Sequence, residues 1–384
     1  MRIGINALFQ PNGGSLRNLT QLLKEWHPRI SERRHTIIVF CGSDSYAKLS
    51  WLEDERVRFV KASPDVYGPI SRLLVEQGPL LFLMNRYEID VLFCPANISP
   101  LFSTVPCVTT VQNMAPWCAE YLSGDIRSHL RFGLLGTLTV ASAKRAAKTI
   151  FLSHYAKDSL TKRYRLTPDK LTVIYRARDD SEVSGHEAQI LQDINISQPY
   201  ILTVSNLHRY KNIEYLIEGY SRLVARLGDS SPQLVIAGAA ASEKYRESLE
   251  RMADNLCGPK RVRYTGAVSP DIVGALLRSC LCFTFTSSCE NCPNALIEAL
   301  SSGAAIGCSQ EGVMPEIAGE AVLYFDPKDS SAIESVLERL VIEPDTRRML
   351  QDRALKQSRR FPTASQMALE TLAVIESACK VTTK

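Results

Sequence analysis

Short apolar runs alternate with stretches of helical period along this chain, and the alternation occurs in two blocks. In the first block Ile3–Leu8, Thr36–Cys41, Val57–Val60, Val91–Cys94, Cys107–Val111, Thr149–Leu152 and Leu171–Tyr175 read as strands. Between the first two, Leu16, Leu19, Leu22 and Leu23 recur at helical spacing. Near-continuous apolar runs suit strands covered on both faces, and strand–helix–strand alternation implies parallel sheets with helices on each side. The pattern breaks over 176–198, where Asp179, Asp180, Ser181, Glu182, Ser184 and Gly185 cluster, so a linker is expected there. It then restarts with strands at Tyr200–Val204, Gln233–Ala237, Arg261–Thr265, Cys280–Phe285, Ala304–Gly307 and Ala321–Phe325. Helices are expected over Asn212–Leu227 and Glu243–Asn255. The expected organisation is α/β, with a first domain over 1–180, the linker, and a second domain over 199–360. Phe361-Pro362 breaks a helix, and Thr363–Cys379 carries Met367, Leu372 and Ile375 on one stripe. That last helix is expected to pack back on the first domain.

A length of 384 residues suits two domains. The chain is 45% hydrophobic and 22% charged, which argues against disorder. No apolar stretch approaches the ~20 residues that a bilayer-spanning helix needs. The start, Met1 to Leu8, reads as a strand and not as a signal peptide. Eleven cysteines, an odd number spread over a long chain, suggest a reducing, cytoplasmic setting without disulfides. Cys280, Cys282, Cys289 and Cys292 lie close together, but Cys280 and Cys282 alternate along an apolar strand and suit the core, so no metal is expected. Residues 1–180 carry 24 Lys+Arg against 16 Asp+Glu, and the remainder carries 21 against 25. The basic first half has no interleaved aromatic–basic stripe, so a nucleic-acid partner is not expected. Arg127, His129, Arg131, Lys144, Arg145 and Lys148 flank the apolar stretch Phe132–Val140. This fits peripheral contact with an anionic membrane, at its inner face, and equally an ordinary amphipathic helix.

The densest chemical signal is Ser287 to Gly303, which follows a strand and opens a helix. Pro293 suits the helix start, Asn294 its cap, and Gly303 the left-handed end. A helix opening at the carboxyl end of a parallel strand offers free N–H groups and a positive dipole end, which suits a diphosphate. Glu290 precedes this helix and Glu298 lies one turn inside it. Carboxylates on either side of a diphosphate make sense as acceptors from sugar hydroxyls. A second cluster, Ser205 to Asn212, places Lys211 and Arg209 between a strand and a helix, where both suit phosphate. A third, Pro11-Asn12-Gly13-Gly14-Ser15, lets backbone approach a phosphate closely. Gly-x-Gly-x-x-Gly is absent.

Glu290 to Gly303 resembles the Glu-x7-Glu region of retaining GT-B glycosyltransferases of family 4. Pro315-Glu316, Ala321 to Pro327, Asp90 to Pro95 and Thr110 to Pro116 look like further segments of that family, and Thr363–Cys379 is similar to its terminal crossover helix. The resemblance implies two Rossmann-like α/β/α domains facing a central cleft, with acceptor on the first and nucleotide-sugar on the second. It implies that Glu290 contacts the donor sugar, that Glu298 holds the ribose, and that backbone N–H groups of Cys292, Asn294 and Ala295 face sugar and phosphates. Lys211 would bind the diphosphate. The family commonly has an Arg where Asn206 stands, which leaves Arg209 as a substitute donor contact. Gly13 and Gly14 would reach the diphosphate. The base would be read by backbone around Tyr264, leaving UDP- and GDP-linked donors both open. Many members carry a His near Gln112 and Asn113; an amide there cannot be a general base, so Asn113 would orient the reacting groups while the departing diphosphate takes the acceptor's proton. Catalytic roles thus fall to Glu290, Lys211 and Asn113. No cofactor and no metal are implied, since the nucleotide-sugar is a substrate. The acceptor would be a glycan or lipid-linked sugar of a cell-surface polysaccharide. A non-catalytic sugar-nucleotide-binding protein and a nucleotide-sugar epimerase stay open as alternatives.

Overall fold

The computed structural model of the chain describes residues 1–8, 14–62, 69–118, 126–180, 185–240 and 242–380. They form two compact units, Met1–Ala177 with Pro362–Lys384, and Arg178–Phe361.

The first unit is built on seven parallel strands: β1 (Arg2–Ala7), β2 (Thr36–Cys41), β3 (Val57–Lys61), β4 (Val91–Cys94), β5 (Cys107–Val111), β6 (Lys148–Phe151) and β7 (Leu171–Val173). Their order is β3-β2-β1-β4-β5-β6-β7. Ile5 pairs with Val39 on one side and Phe93 on the other, and all three are buried. Such strands are apolar at most inner positions because helices cover both faces of the sheet. One of those helices is Ala364–Lys380, from the far end of the chain. It buries Met367, Ala368, Leu372, Ile375 and Ala378 in the core that also holds Ile3, Trp26 and Phe93. Each large side chain removed from water there contributes about 1.5–3 kcal/mol. The Trp26 indole donates to the Ala368 carbonyl at 2.7 Å. Thr363, expected inside this helix, instead caps it: Gln366 N–H donates to Thr363 Oγ1 at 3.1 Å and Thr363 N–H to Gln366 Oε1 at 2.9 Å. This reciprocal pair is a capping box.

The second unit has six parallel strands: β8 (Tyr200–Val204), β9 (Gln233–Ala237), β10 (Val262–Gly266), β11 (Cys282–Phe285), β12 (Ile306–Ser309) and β13 (Val322–Phe325), in the order β10-β9-β8-β11-β12-β13. Leu202 pairs with Val235 and Phe283, and Phe283 with Ile306. The stretch read as a linker is not featureless. Glu187–Asp193 is helical and buries Leu191, and Glu187 accepts from Arg278 Nε at 2.9 Å, so these residues belong to the second unit. Among the described residues nine cysteines are free thiols. No helix among the described residues is long and apolar enough to cross a membrane.

Each sheet is doubly wound. In the first, the chain leaves β1 toward β2 on one side and returns at β4 on the other. In the second, β8 and β11 stand in that relation. Open α/β sheets of this kind bind ligands outside the carboxyl ends of the strands where the order reverses.

Candidate functional site

In the second unit the reversal lies between β8 and β11, and the loops that follow these strands are joined by side chains. After β8, Arg209–Lys211 forms one 3-10 turn, and Asn212 (φ +54°) caps the helix Ile213–Leu227. Asn212 is 3% exposed. Its Nδ2 donates to Thr286 O at 2.8 Å, across from the other strand, and to Tyr210 O at 3.3 Å. Thr286 returns the contact, its Oγ1 donating to Lys211 O at 2.6 Å. Ser288 donates to Tyr210 O from its backbone N–H at 2.9 Å and its hydroxyl at 3.2 Å. Gly238, at the end of β9, lets the same loop approach: a Cβ there would stand 2.1 Å from Ser205 O, at a φ of +149°.

This strapping brings Lys211 and Glu290 together. Lys211 Nζ donates to Glu290 Oε1, and the two side chains are only 12% and 15% exposed. The ammonium also lies 5.1 Å from the Tyr210 ring centre and 5.4 Å from that of Phe285. Cation–π attraction of this kind gains strength as water is excluded. An ammonium has three donors, so Lys211 can hold Glu290 and still serve an anion. The His208 ring stacks on Tyr210, with centres 5.4 Å apart. Burial first, and then the Lys211 charge, hold this imidazole below its ordinary 6.5, with Glu290 opposing.

The helix Asn294–Ser301 begins just after this pair. Pro293 (φ −74°, ψ 111°) occupies the capping position and Asn294 is the first helical residue, one place from the expected arrangement, with no side-chain cap bond. Proline supplies the extended backbone of the capping position but no side-chain acceptor, so the first N–H groups of the helix have no side-chain cap. Ile297 N–H makes the first helical bond, to Pro293 O at 3.2 Å. The N–H groups of Asn294, Ala295 and Leu296 precede that bond and mark the positive end of the dipole. Leu296, Ile297, Ala299 and Leu300 are buried, whereas Asn294, Ala295 and Glu298 are partly exposed. Spacings of three and four put these last three on one stripe. Gly303 ends the segment at φ +70°. Cys292 is 8% exposed, just before the helix.

Other residues singled out by sequence stand elsewhere. Asn206 is exposed, and its Oδ1 accepts from Ala239 N–H at 3.2 Å, closing the β8 and β9 loops on each other. Arg209 is 83% exposed; its Nη1 is 3.7 Å from Glu214 Oε1 and its guanidinium lies 5.2 Å over the Tyr245 ring. It therefore does not join Lys211. The Tyr264 side chain packs on the second unit's core with Tyr245 and Val262, and its hydroxyl is buried, leaving its backbone for a ligand. Asn113 is exposed in the first unit; its Oδ1 accepts from Ala115 N–H at 2.8 Å, and its own N–H donates to Asn97 Oδ1 at 3.0 Å. Gly14 opens the helix Gly14–Glu32 after β1, and Gly13 lies outside the described residues. His208, Tyr210, Asn212 and Ser288 lie in the two segments singled out by sequence but had no role assigned to them, and Thr286 was not anticipated. Among the described residues no group of three His, Cys, Asp or Glu could hold a metal ion.

Comparison with known proteins places this architecture. Residues 188–357 match the family model described as Glycosyl transferases group 1, and residues 13–182 match Glycosyltransferase Family 4. The Escherichia coli serotype-specific mannosyltransferase WbdA is 28% identical over 232 residues, which is 59% of this chain and 28% of that protein, so the chain spans under a third of that relative's length. Two solved structures share the fold. Anabaena HepE in complex with UDP-glucose superposes with a TM-score of 0.75 at 17% identity, covering 97% of this chain and 99% of that one. WaaG, a glycosyltransferase involved in lipopolysaccharide biosynthesis, gives 0.76 at 14% identity, covering 98% and 99%. With both family models matched along consecutive stretches and two doubly wound α/β units, the chain belongs to glycosyltransferase family 4 and has the GT-B fold.

Proposed function

We propose that the chain is a retaining glycosyltransferase that passes a sugar from a UDP- or GDP-linked donor to a glycan or lipid-linked acceptor in the synthesis of a cell-surface polysaccharide. The observation that carries this reading is the Lys211–Glu290 pair, held at the reversal point of the second sheet beside the open end of the helix Asn294–Ser301. A cation and three backbone N–H groups suit a diphosphate, and a carboxylate next to them suits the hydroxyls of the sugar it carries. The matched names support the class of product, since WbdA is described as a mannosyltransferase and WaaG as acting in lipopolysaccharide biosynthesis.

In this reading Lys211 and the N–H groups of Cys292, Asn294 and Ala295 bind the diphosphate and the sugar. Glu290 accepts from the donor sugar and Glu298 from the ribose. The backbone at Tyr264 reads the base. Gly13 and Gly14 serve the diphosphate and Asn113 orients the acceptor hydroxyl. The sugar's anomeric carbon–oxygen bond breaks and its electron pair leaves on the diphosphate. The acceptor oxygen bonds to the same face of that carbon, and its proton passes to the departing phosphate oxygen. The protein's part is to stabilise the charge that develops. Lys211 and the helix end neutralise the leaving group, so no metal or cofactor is needed.

Docking on a cytoplasmic, anionic membrane face is part of the same proposal. Leu130 and Leu134 stand 70% and 46% exposed one turn apart on the helix Ile126–Arg145, beside exposed Arg131. Basic charge near apolar surface attracts anionic lipid by about 1 kcal/mol per residue. Flotation with vesicles that contain phosphatidylglycerol, against neutral vesicles, tests it; equal recovery removes it.

Transfer is tested by following UDP- and GDP-sugars by proton NMR with oligosaccharide acceptors. A product with the donor's anomeric configuration, lost in Glu290→Ala, is expected. Donor binding without transfer would favour a binding protein, and donor isomerisation without acceptor would favour an epimerase.

A further inference from the structure

The reversal point of the first sheet carries a charged pair of its own. Asn6, at the end of β1, is 1% exposed, and Glu76, on the helix Pro69–Gln77, is fully buried. Asn6 Nδ2 and Arg72 Nε both donate to Glu76 Oε1, at 2.7 and 2.8 Å. Arg72 Nη2 donates to Ala96 O, just past β4, at 3.1 Å. The cluster therefore ties together the carboxyl ends of the two strands at which the order reverses. Glu76 Oε2 is buried with no hydrogen-bond partner. Burying a carboxylate with half its capacity unmet is costly, and an apolar residue at that helix position would avoid the cost. What the cluster achieves is a fixed guanidinium. Arg72 keeps 19% of its side chain accessible, and of its three nitrogens Nη1 makes no hydrogen bond within the described residues.

We infer that Arg72 binds a hydroxyl oxygen of the acceptor sugar through Nη1, with Glu76 and Asn6 as the residues that position it. This rests on the transferase reading above, which leaves the acceptor without an assigned contact beyond Asn113. The location is where open α/β sheets take ligands. The chemistry follows from charge. Glu76 at 2.8 Å already balances the arginine, so the N–H edge on offer suits a neutral hydroxyl. A phosphate would have to approach a guanidinium whose carboxylate partner repels it.

The experiment is saturation-transfer NMR on the full chain with methyl α-mannoside, α-glucoside and α-galactoside, and with inorganic phosphate followed by its phosphorus linewidth. Arg72→Met, Arg72→Lys and Glu76→Gln are compared with the parent, and circular dichroism checks that each is folded. At least one glycoside saturates on the parent, the signal is lost in R72M, and binding is roughly tenfold weaker in E76Q, the loss of one charge-assisted bond or its alignment. UDP and GDP titrations run beside it are unchanged by both substitutions. The inference is overturned if no glycoside saturates on the parent, if folded R72M binds glycoside as well as the parent, or if phosphate is what R72M loses. Failure of the parent to bind either nucleotide overturns the transferase reading instead, and a glycoside signal that depends on Arg72 would survive that result.

Discussion

Replacing Asn212 separates two contributions that the strap between the β8 and β11 loops combines. The residue is buried, sits at φ +54°, and spends its amide on Thr286 O and Tyr210 O. Asn212→Gly removes both hydrogen bonds and keeps a backbone at ease in the left-handed region. At about 1 kcal/mol net per bond, the loss is about 2 kcal/mol. Asn212→Ala removes the same bonds and adds a Cβ where it is disfavoured. After allowing for the extra chain entropy that glycine loses on folding, alanine should be worse by about 1 kcal/mol, near 3 kcal/mol in all. The assay can be made specific to the second unit. All three tryptophans, Trp26, Trp51 and Trp117, lie in the first unit. Urea unfolding followed by tryptophan fluorescence thus reports the first unit, whereas far-UV circular dichroism reports both. The circular-dichroism transition of the second unit should move to lower urea, further for alanine than for glycine, with the fluorescence midpoint fixed. If glycine costs as much as alanine, or neither exceeds about 0.5 kcal/mol, the left-handed cap and its hydrogen bonds do not hold this loop as described.

Further outcomes follow from the same geometry. Lys211→Met should weaken UDP or GDP binding roughly 10- to 100-fold by calorimetry, the value of a charge-assisted bond to phosphate, and should lower the melting temperature of the second unit, because Glu290, only 15% exposed, is left without its partner. His208 is held below the ordinary 6.5, chiefly by burial and then by Lys211, so the unfolded chain takes up a proton more readily than the folded one. Stability from this group is complete above that value and is lost as pH falls through it toward the depressed folded value, and His208→Asn should flatten that part of a melting-temperature profile. Gly238→Ala places a Cβ 2.1 Å from a backbone oxygen, and thermal scans should show the second unit losing more than about 3 kcal/mol or failing to fold.

Much of the architecture was visible in the amino-acid pattern because strands covered on both faces must be apolar at nearly every position, as Ile3–Ala7 and Ile37–Cys41 are. The helix Glu187–Asp193 was hidden because it shows only Ile190 and Leu191 as large apolar residues among polar neighbours. At the site, Lys211 and Glu290 were legible because each follows a strand and precedes a helix. Their contact was not, since it depends on β8 lying beside β11, strands separated by two others along the chain. Asn212 and Thr286 act only through that adjacency. Arg209 was read as a substitute donor contact, yet its guanidinium lies over the ring of Tyr245 on the helix Glu243–Cys257; Tyr264 was read through its backbone, and its side chain shares the core with Tyr245. Spacing alone cannot say which neighbour a long side chain will meet.

The most direct measurement is a structure of the chain with UDP or GDP bound. Phosphate oxygens within hydrogen-bond distance of Lys211 Nζ and of the Asn294 and Ala295 N–H groups, with Glu298 on the ribose, are the predicted result. A diphosphate bound away from Lys211 and the start of that helix, or Glu298 turned from the nucleotide, would contradict the account.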